Sequence, residues 1–382
     1  MTLLTVGVVG SSLKENEQRV PIHPQHIEWM PDEVRAQLVF ERGYGEPFGI
    51  DDATILAQGV GGVADREALF TDYDVVLLPK PTQQDFDMLR EDSILWGWPH
   101  CVQQREFTQT AIDRRLTLIA WEAMYKWGKR GTRQLHIFYR NNEMAGYAGV
   151  LDALRLVGRD GKYGPPKKAA VISFGSVSRG ALFALQGRGF TDITVYTQRP
   201  AHLVSHKIMG VTYHQIQRNG ADGLLCLHSD GTEHPFIEEL GDADVIVNGI
   251  LQDTDNPLMY LKKGQSDQLK PQSLIVDVSC DNGMGFPFAR PTTFEEPVFQ
   301  IGPEVDYYAV DHTPSYLWKS ASWEISESLL PFLPVVIGGP ERWAKNETIR
   351  RAVEIHDGVI QNSKILSFQQ RAAEFPHRAV AA

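Results

Sequence analysis

The segment Ala169-Ala170-Val171-Ile172-Ser173-Phe174, followed by Gly175-Ser176-Val177-Ser178-Arg179-Gly180, decides how this chain is read. The first six residues form an apolar run suited to a buried strand. The next six make a tight turn, and Ala181 to Gly187 continue as a helix. Ile193-Thr194-Val195-Tyr196 then forms a second strand. Strand, glycine-bearing turn, helix and strand within about 30 residues make up the βαβ unit that binds a dinucleotide. The start of the helix offers backbone N–H groups and a positive dipole end to a pyrophosphate.

Laid over this turn, the three positions of the G-x-G-x-x-G fingerprint become Ser173, Gly175 and Ser178. Only the middle glycine, which lets backbone approach phosphate, is kept. We take Ser173, Gly175, Ser176, Val177 and Ser178 as candidate cofactor contacts, with a tight structural turn as the competing reading. An NAD site places Asp or Glu at the end of the second strand, where an NADP site places Arg and hydroxyl donors. Here that strand ends in Thr197-Gln198-Arg199, with no carboxylate. Arg199 can pair with a 2′-phosphate, so the expected cofactor is NADPH. The alternative is an arginine on an ordinary solvent loop.

Working outward, 382 residues suffice for two domains with cores. The net charge of −11 argues against nucleic acid or an anionic membrane as partner, since both call for basic patches. Cys101, Cys226 and Cys280 are widely spaced, with no C-x-x-C pair. We therefore expect no disulfide framework, no metal site and a reducing cytoplasmic setting. No apolar run approaches the ~18 residues of a membrane span, and the N-terminus reads as a buried strand, Thr5 to Val9, rather than a secretory signal.

Three polar side chains follow predicted strands. Arg19 comes after Thr5–Val9, Lys80 after Asp74–Leu78 and His100 after Ile94–Trp98. Open α/β sheets hold ligands at the carboxyl ends of their strands. Flanked by Pro79 and Pro81, the backbone of Lys80 is confined. Later runs, Asp244–Asn248 and Leu274–Val278, suit parallel strands covered on both faces. They deliver Asn248 and Gly249, taken as further cofactor contacts, and Asp281 in the glycine-rich loop Ser279–Gly285. Glu122, Glu143 and Asp311 are candidate partners for a substrate ammonium. Cys101 adjoins His100, but nothing in the sequence activates its thiol. The stretch Pro200–Leu240 reads as irregular apart from Leu224–Leu227, and Glu341–Gln361 reads as helical.

The expected fold class is α/β, with two Rossmann-like domains, parallel sheets and the active site in the cleft between them. Residues 1–140 plus 308–382 would form the substrate domain and 141–307 the NADP-binding domain.

With these stretches in view, the chain resembles the alanine dehydrogenase and pyridine nucleotide transhydrogenase superfamily over nearly its whole length. The resemblance rests on Gln18-Arg19-Val20-Pro21, Lys80, His100, Asn142–Gly146, Asp277–Gly283 and Arg290–Pro297. Within it the chain most closely resembles the carboxyethylornithine synthases, through Ala145–Leu154, Val247–Ile250, Asp255-Asn256-Pro257 and Thr313-Pro314-Ser315. It departs from them at Ser173 and in a longer Pro200–Leu240 segment.

That resemblance implies an NADPH-dependent condensation of pyruvate with the side-chain amine of ornithine or lysine, through reduction of an imine. Arg19 would grip the 2-oxo acid carboxylate, and Lys80 would hold it or polarise the carbonyl. His100 would act as general acid and base, and Asp281 would bind the amine or the cofactor ribose. The partners implied are small molecules, and relatives suggest a homo-oligomer. Three alternatives stay open: an alanine dehydrogenase that uses ammonia and NAD, a saccharopine-type dehydrogenase, and a non-catalytic nucleotide-binding subunit.

Overall fold

A computed structural model describes residues 3–220, 223–228, 230–253, 256–302 and 304–379. Asp255, one of the residues carrying the synthase resemblance, lies outside the described residues, as does the end of the C-terminal tail. The chain divides into two compact units, Met1–Tyr139 with Trp318–Ala382, and Arg140–Leu317. The second unit thus runs past the anticipated return at residue 308.

The first unit is built on strands β1 (Val6–Val8), β2 (Leu38–Glu41), β3 (Gly62–Ala64), β4 (Val75–Leu77), β5 (Ile94–Gly97) and β6 (Thr117–Ala120). They are parallel and lie in the order β3-β2-β1-β4-β5-β6. This is a doubly wound sheet, whose strand order reverses between β1 and β4. Alternate residues feed the cores on its two faces. Val6, Val8, Leu77 and Trp96 enter one, and Val76, Leu95 and Leu118 the other. A short hairpin follows, β7 (Tyr125–Trp127) and β8 (Arg133–His136).

The second unit opens on the helix Tyr139–Leu156 and repeats the plan. Its strands are β9 (Lys168–Ile172), β10 (Asp192–Thr197), β11 (Thr212–Arg218), β12 (Leu224–Leu227), β13 (Glu233–Pro235), β14 (Val245–Asn248), β15 (Leu274–Asp277), β16 (Val298–Ile301) and β17 (Val305–Tyr308). The order β11-β10-β9-β14-β15-β17 is again doubly wound, with antiparallel β12-β13 and β16 on its two edges. Its parallel strands are buried on both faces. Val171, Val195, Val247 and Val276 pack on one side, and Ile172, Tyr196, Ile246 and Ile275 on the other.

Two segments differ from the sequence reading. Pro200–Leu240 is not irregular, because Thr212–Arg218 forms β11, with Tyr213 and Ile216 buried, and β12-β13 extend the sheet beyond it. Glu341–Gln361 is not one helix. Short helices Pro340–Lys345 and Glu347–Ala352 give way to β18 (Val353–His356) and β19 (Val359–Ile360), which extend the first sheet beyond β6. The turn between them uses Gly358 at φ +78°, a conformation glycine adopts without strain. Among the described residues no helix is long and apolar enough to cross a membrane.

Candidate active site

Adjacent parallel strands β4, β5 and β6 deliver Lys80, His100 and Glu122 to the same edge of the first sheet. The ends of β4 and β5 lie close together. A Cβ on Gly97 would stand 1.9 Å from the Leu78 carbonyl oxygen, so no other residue fits there unchanged. Past this point Trp98 donates its N–H to Pro79 O at 2.8 Å, tying the two chain ends. Lys80 Nζ then lies 3.3 Å from His100 Nε2. His100 holds φ at +49°, an unfavourable conformation for a side chain with Cβ, as active-site residues often are.

Glu122 braces the histidine from the other side. Its Oε1 accepts the His100 backbone N–H at 2.7 Å and lies 3.7 Å from Nδ1. Burial, with nearby Glu354 as a smaller cause, pushes the Glu122 carboxyl well above its ordinary range. Glu354 on β18 is pushed up by its own burial. Oε2 of each is buried without a hydrogen-bond partner among the described residues. Both line a cavity of about 490 Å³, which also receives Arg133, Arg350, Arg351 and Lys364.

Arg19 is 3% exposed. Its Nε donates to Glu17 Oε1 at 2.8 Å, Nη2 pairs with Glu17 Oε2, and its guanidinium lies 5.1 Å from the centre of the Trp98 ring. Trp98 thus links the arginine to the strand end that carries His100. Neither Glu17 nor Glu354 was singled out from sequence, since neither stands at the end of a recognisable apolar strand. Cys101 is buried, and burial raises its thiol well above the usual range, so it is no thiolate nucleophile at neutral pH.

In the second unit, Gly175 caps the helix Ser176–Gly187 with no side-chain hydrogen bond. The nearest atom to a Cβ built there is Ser173 Oγ at 3.8 Å, so the cradle is open. Ser173 itself sits at φ +89°, the backbone of the glycine it replaces. Ser178 is fully buried, and its Oγ donates to Ile172 O at 3.3 Å, joining helix to strand. The closest helix contacts fall on Gly146 and Gly180. A Cβ on either would come within 2 Å of a carbonyl oxygen, Val177 O or Glu143 O. Uncapped N–H groups, an open glycine and an exposed Arg199 after buried Thr197 fit a phosphate-bearing dinucleotide.

Behind this turn, Asp277 is 1% exposed. It accepts from Tyr307 OH at 2.6 Å and from Asn248 Nδ2 at 2.8 Å. Burial raises its carboxyl to about 7. Asn248 Oδ1 accepts from Tyr260 OH and from the Ile250 N–H. Its side chain is thereby taken up inside the unit. A Cβ on Gly249 would lie 2.5 Å from Ser178 Oγ, so the two strand-end turns nearly touch. Asp281 is half-buried in the loop after β15, and burial raises its carboxyl.

Residues 8–145 match the alanine dehydrogenase/PNT N-terminal domain, and residues 165–363 match the alanine dehydrogenase/PNT C-terminal domain. The chain belongs to the alanine dehydrogenase/PNT family. Among this family's curated members, it is 27% identical to N(5)-(carboxyethyl)ornithine synthase of Clostridium botulinum, over 82% of this chain and 89% of that protein. It is 22% identical to alanine dehydrogenase of Mycobacterium tuberculosis, over 95% of this chain and 96% of that one. A solved L-alanine dehydrogenase superposes with TM-score 0.74 at 19% identity, covering 96% and 99% of the two chains. A transhydrogenase from Sinorhizobium meliloti gives 0.70 at 19%, covering 93% and 99%. These two likenesses establish the two-domain Rossmann-like fold that the alternating apolar runs predicted.

Proposed function

We propose that this family member is an oxidoreductase that condenses a 2-oxo acid such as pyruvate with the amine of an amino acid such as ornithine or lysine, using NADPH. The observation that carries the reading is the Lys80–His100 pair, 3.3 Å apart and braced by Glu122. A cation polarises a carbonyl oxygen, and an imidazole within reach of the same oxygen moves its proton.

In this reading Arg19, with Trp98 beneath it, meets the oxo acid carboxylate, and Lys80 draws electron density onto the carbonyl oxygen. The amine nitrogen bonds to the carbonyl carbon as a proton passes from nitrogen to oxygen through His100, giving a carbinolamine. His100 then takes the remaining N–H proton and delivers one to the hydroxyl, which leaves as water, and an imine remains. The cofactor, when bound, supplies the hydride that reduces that imine carbon. Asp281 binds the incoming amine or the cofactor ribose. The mixed charges around the cavity behind Glu122 suit the ammonium and carboxylate of an amino acid. The likeness to the Clostridium botulinum synthase points the same way. The partners are small molecules, with neither nucleic acid nor membrane among them, and the expected setting is the cytoplasm with the chain in a homo-oligomer.

Two observations support NADPH. Thr197-Gln198-Arg199 contains no carboxylate to repel a 2′-phosphate, and Arg199 is exposed beside it. The test follows NADPH and NADH oxidation with pyruvate held fixed and ammonia, alanine, ornithine, lysine or a diamine varied. Oxidation of NADPH with a side-chain amine supports the proposal. Turnover with ammonia and NADH alone replaces it with alanine dehydrogenation, turnover with 2-oxoglutarate in place of pyruvate points to a saccharopine-type reaction, and nucleotide binding without any turnover points to a binding subunit. Arg199→Ala should weaken NADPH binding roughly 10–100-fold, the worth of charge-assisted hydrogen bonds, while leaving NADH unchanged.

A further inference from the structure

Away from both strand-end sites, one face of the β10-β11-β12 edge carries an unusual row of side chains. Tyr196 of β10 pairs in register with His214 of β11, and Cys226 of β12 pairs with His234 of β13. His228, just beyond β12, stacks on His214 with ring centres 4.1 Å apart and lies 5.0 Å from His234. The helix Phe236–Gly241 packs over this face and lowers Glu239 into it.

Glu239 Oε1 lies 2.8 Å from His228 Nε2, and its Oε2 accepts from Tyr196 OH at 2.7 Å. Cys226 is fully buried beside them. One ligand atom from each of Cys226, His228 and Glu239 falls within 4.8 Å of the others. His214 Nδ1 is buried at the same place without a hydrogen-bond partner among the described residues.

We propose that Cys226, His228 and Glu239 bind a divalent transition ion of the zinc class, with His214 beside them as a candidate fourth ligand. One sulfur, one or two imidazole nitrogens and one carboxylate oxygen form the borderline-soft, tetrahedral donor set that Zn²⁺ takes up. Zinc bonds of roughly 2.0–2.3 Å require the three side chains to close by small rotations only. Tyr196 braces the carboxylate ligand from outside, as groups behind metal ligands do. His228 and Glu239 keep 24% and 12% of their side chains exposed, which leaves an entry path. The absence of C-x-x-C spacing concealed the set, because its members come from the end of one strand and from a helix.

The ion would pin the antiparallel edge and its covering helix to β10 directly before Thr197-Gln198-Arg199. The proposal is independent of the catalytic reading and is tested without turnover. Reduced full-length protein is stripped with a chelator and titrated with Co²⁺, then with Zn²⁺. We expect one Co²⁺ per chain, a thiolate-to-cobalt charge-transfer absorption, and its loss on adding Zn²⁺. Cys226→Ser should abolish that absorption, and Tyr196→Phe should weaken Zn²⁺ binding by about tenfold, the lower range for a bracing group. Wild-type protein that is folded by circular dichroism yet takes up no Co²⁺ would overturn the site, leaving a hydrogen-bonded cluster only. So would a Cys226→Ser spectrum identical to wild type. If Cys226→Ser fails to fold, Glu239→Gln decides by the same titration, with at least a tenfold loss expected and unchanged affinity counting against the site.

Discussion

Lys80 Nζ stands 3.3 Å from His100 Nε2, across a sequence separation of 20 residues. Lys80 brings a cation and His100 an imidazole, with Glu122 Oε1 3.7 Å from its Nδ1. A carbonyl oxygen arriving between the two would find a cation and a proton carrier together. Lys80→Met and His100→Gln should each lower kcat/KM by about 10²–10⁴, the usual worth of a positioned acid or base. Lys80→Arg should not restore it, since a planar fork cannot replace a point charge held between two prolines. Retention of full activity in Lys80→Met would remove the pair from the chemistry.

The Glu17–Arg19 pair is almost wholly out of water, with side-chain exposures of 0% and 2%. Removing one member takes the nearest buried counter-charge from the other, so Glu17→Leu or Arg19→Leu should each cost about 3–5 kcal/mol in urea denaturation. The double variant should recover part of that loss. Arg19→Lys keeps the charge but not the fork, and the KM for the oxo acid should rise about 10–100-fold. An unchanged KM would mean that the arginine serves the fold alone.

Gly180 meets the helix Tyr139–Leu156 so closely that a Cβ would stand 1.7 Å from Glu143 O. Gly180→Ala must push that helix away from the Gly175 turn. The expected cost is about 1–3 kcal/mol, with weaker nucleotide binding by fluorescence titration. Wild-type stability would show that the helices separate freely.

Asp277 carries a folded-state carboxyl raised from 3.8 to about 7, chiefly by burial. Between those values the folded chain keeps a proton that the unfolded chain has lost, so stability falls as pH rises through this window. At 1.36 kcal/mol per pH unit, this one group accounts for no more than about 4 kcal/mol. Asp277→Asn should flatten the decline in urea midpoint between pH 4 and 7, and an unaltered slope would assign the decline to other groups, Glu122 and Glu354 first.

What the sequence discloses follows from burial. Val171–Ile172, Val245–Val247 and Leu274–Val276 are covered on both faces, so they stand out as continuous apolar runs. Lys80 and His100 are legible because each directly follows such a run. Thr212–Arg218 escapes notice because its only buried residues, Tyr213 and Ile216, are separated by half-buried polar positions and are too few to form an apolar run. Glu354 and Asp277 carry their weight through partners distant in sequence, and Glu17, though two residues from Arg19, stands in a polar loop where no apolar run announces it. Ser173 shows the reverse. The residue departs from the glycine fingerprint while its backbone, at φ +89°, keeps the fingerprint's shape.

Gly97 ends β5 and offers no functional group, yet it sets how closely Lys80 and His100 approach. With 1.9 Å between a would-be Cβ and Leu78 O, the neighbouring strands are drawn together where Lys80 and His100 depart. Any larger residue there would act as a spacer, and the two side chains would part even with both still present. The spacing of two reactive groups is thus set by a residue that a survey of reactive groups would pass over.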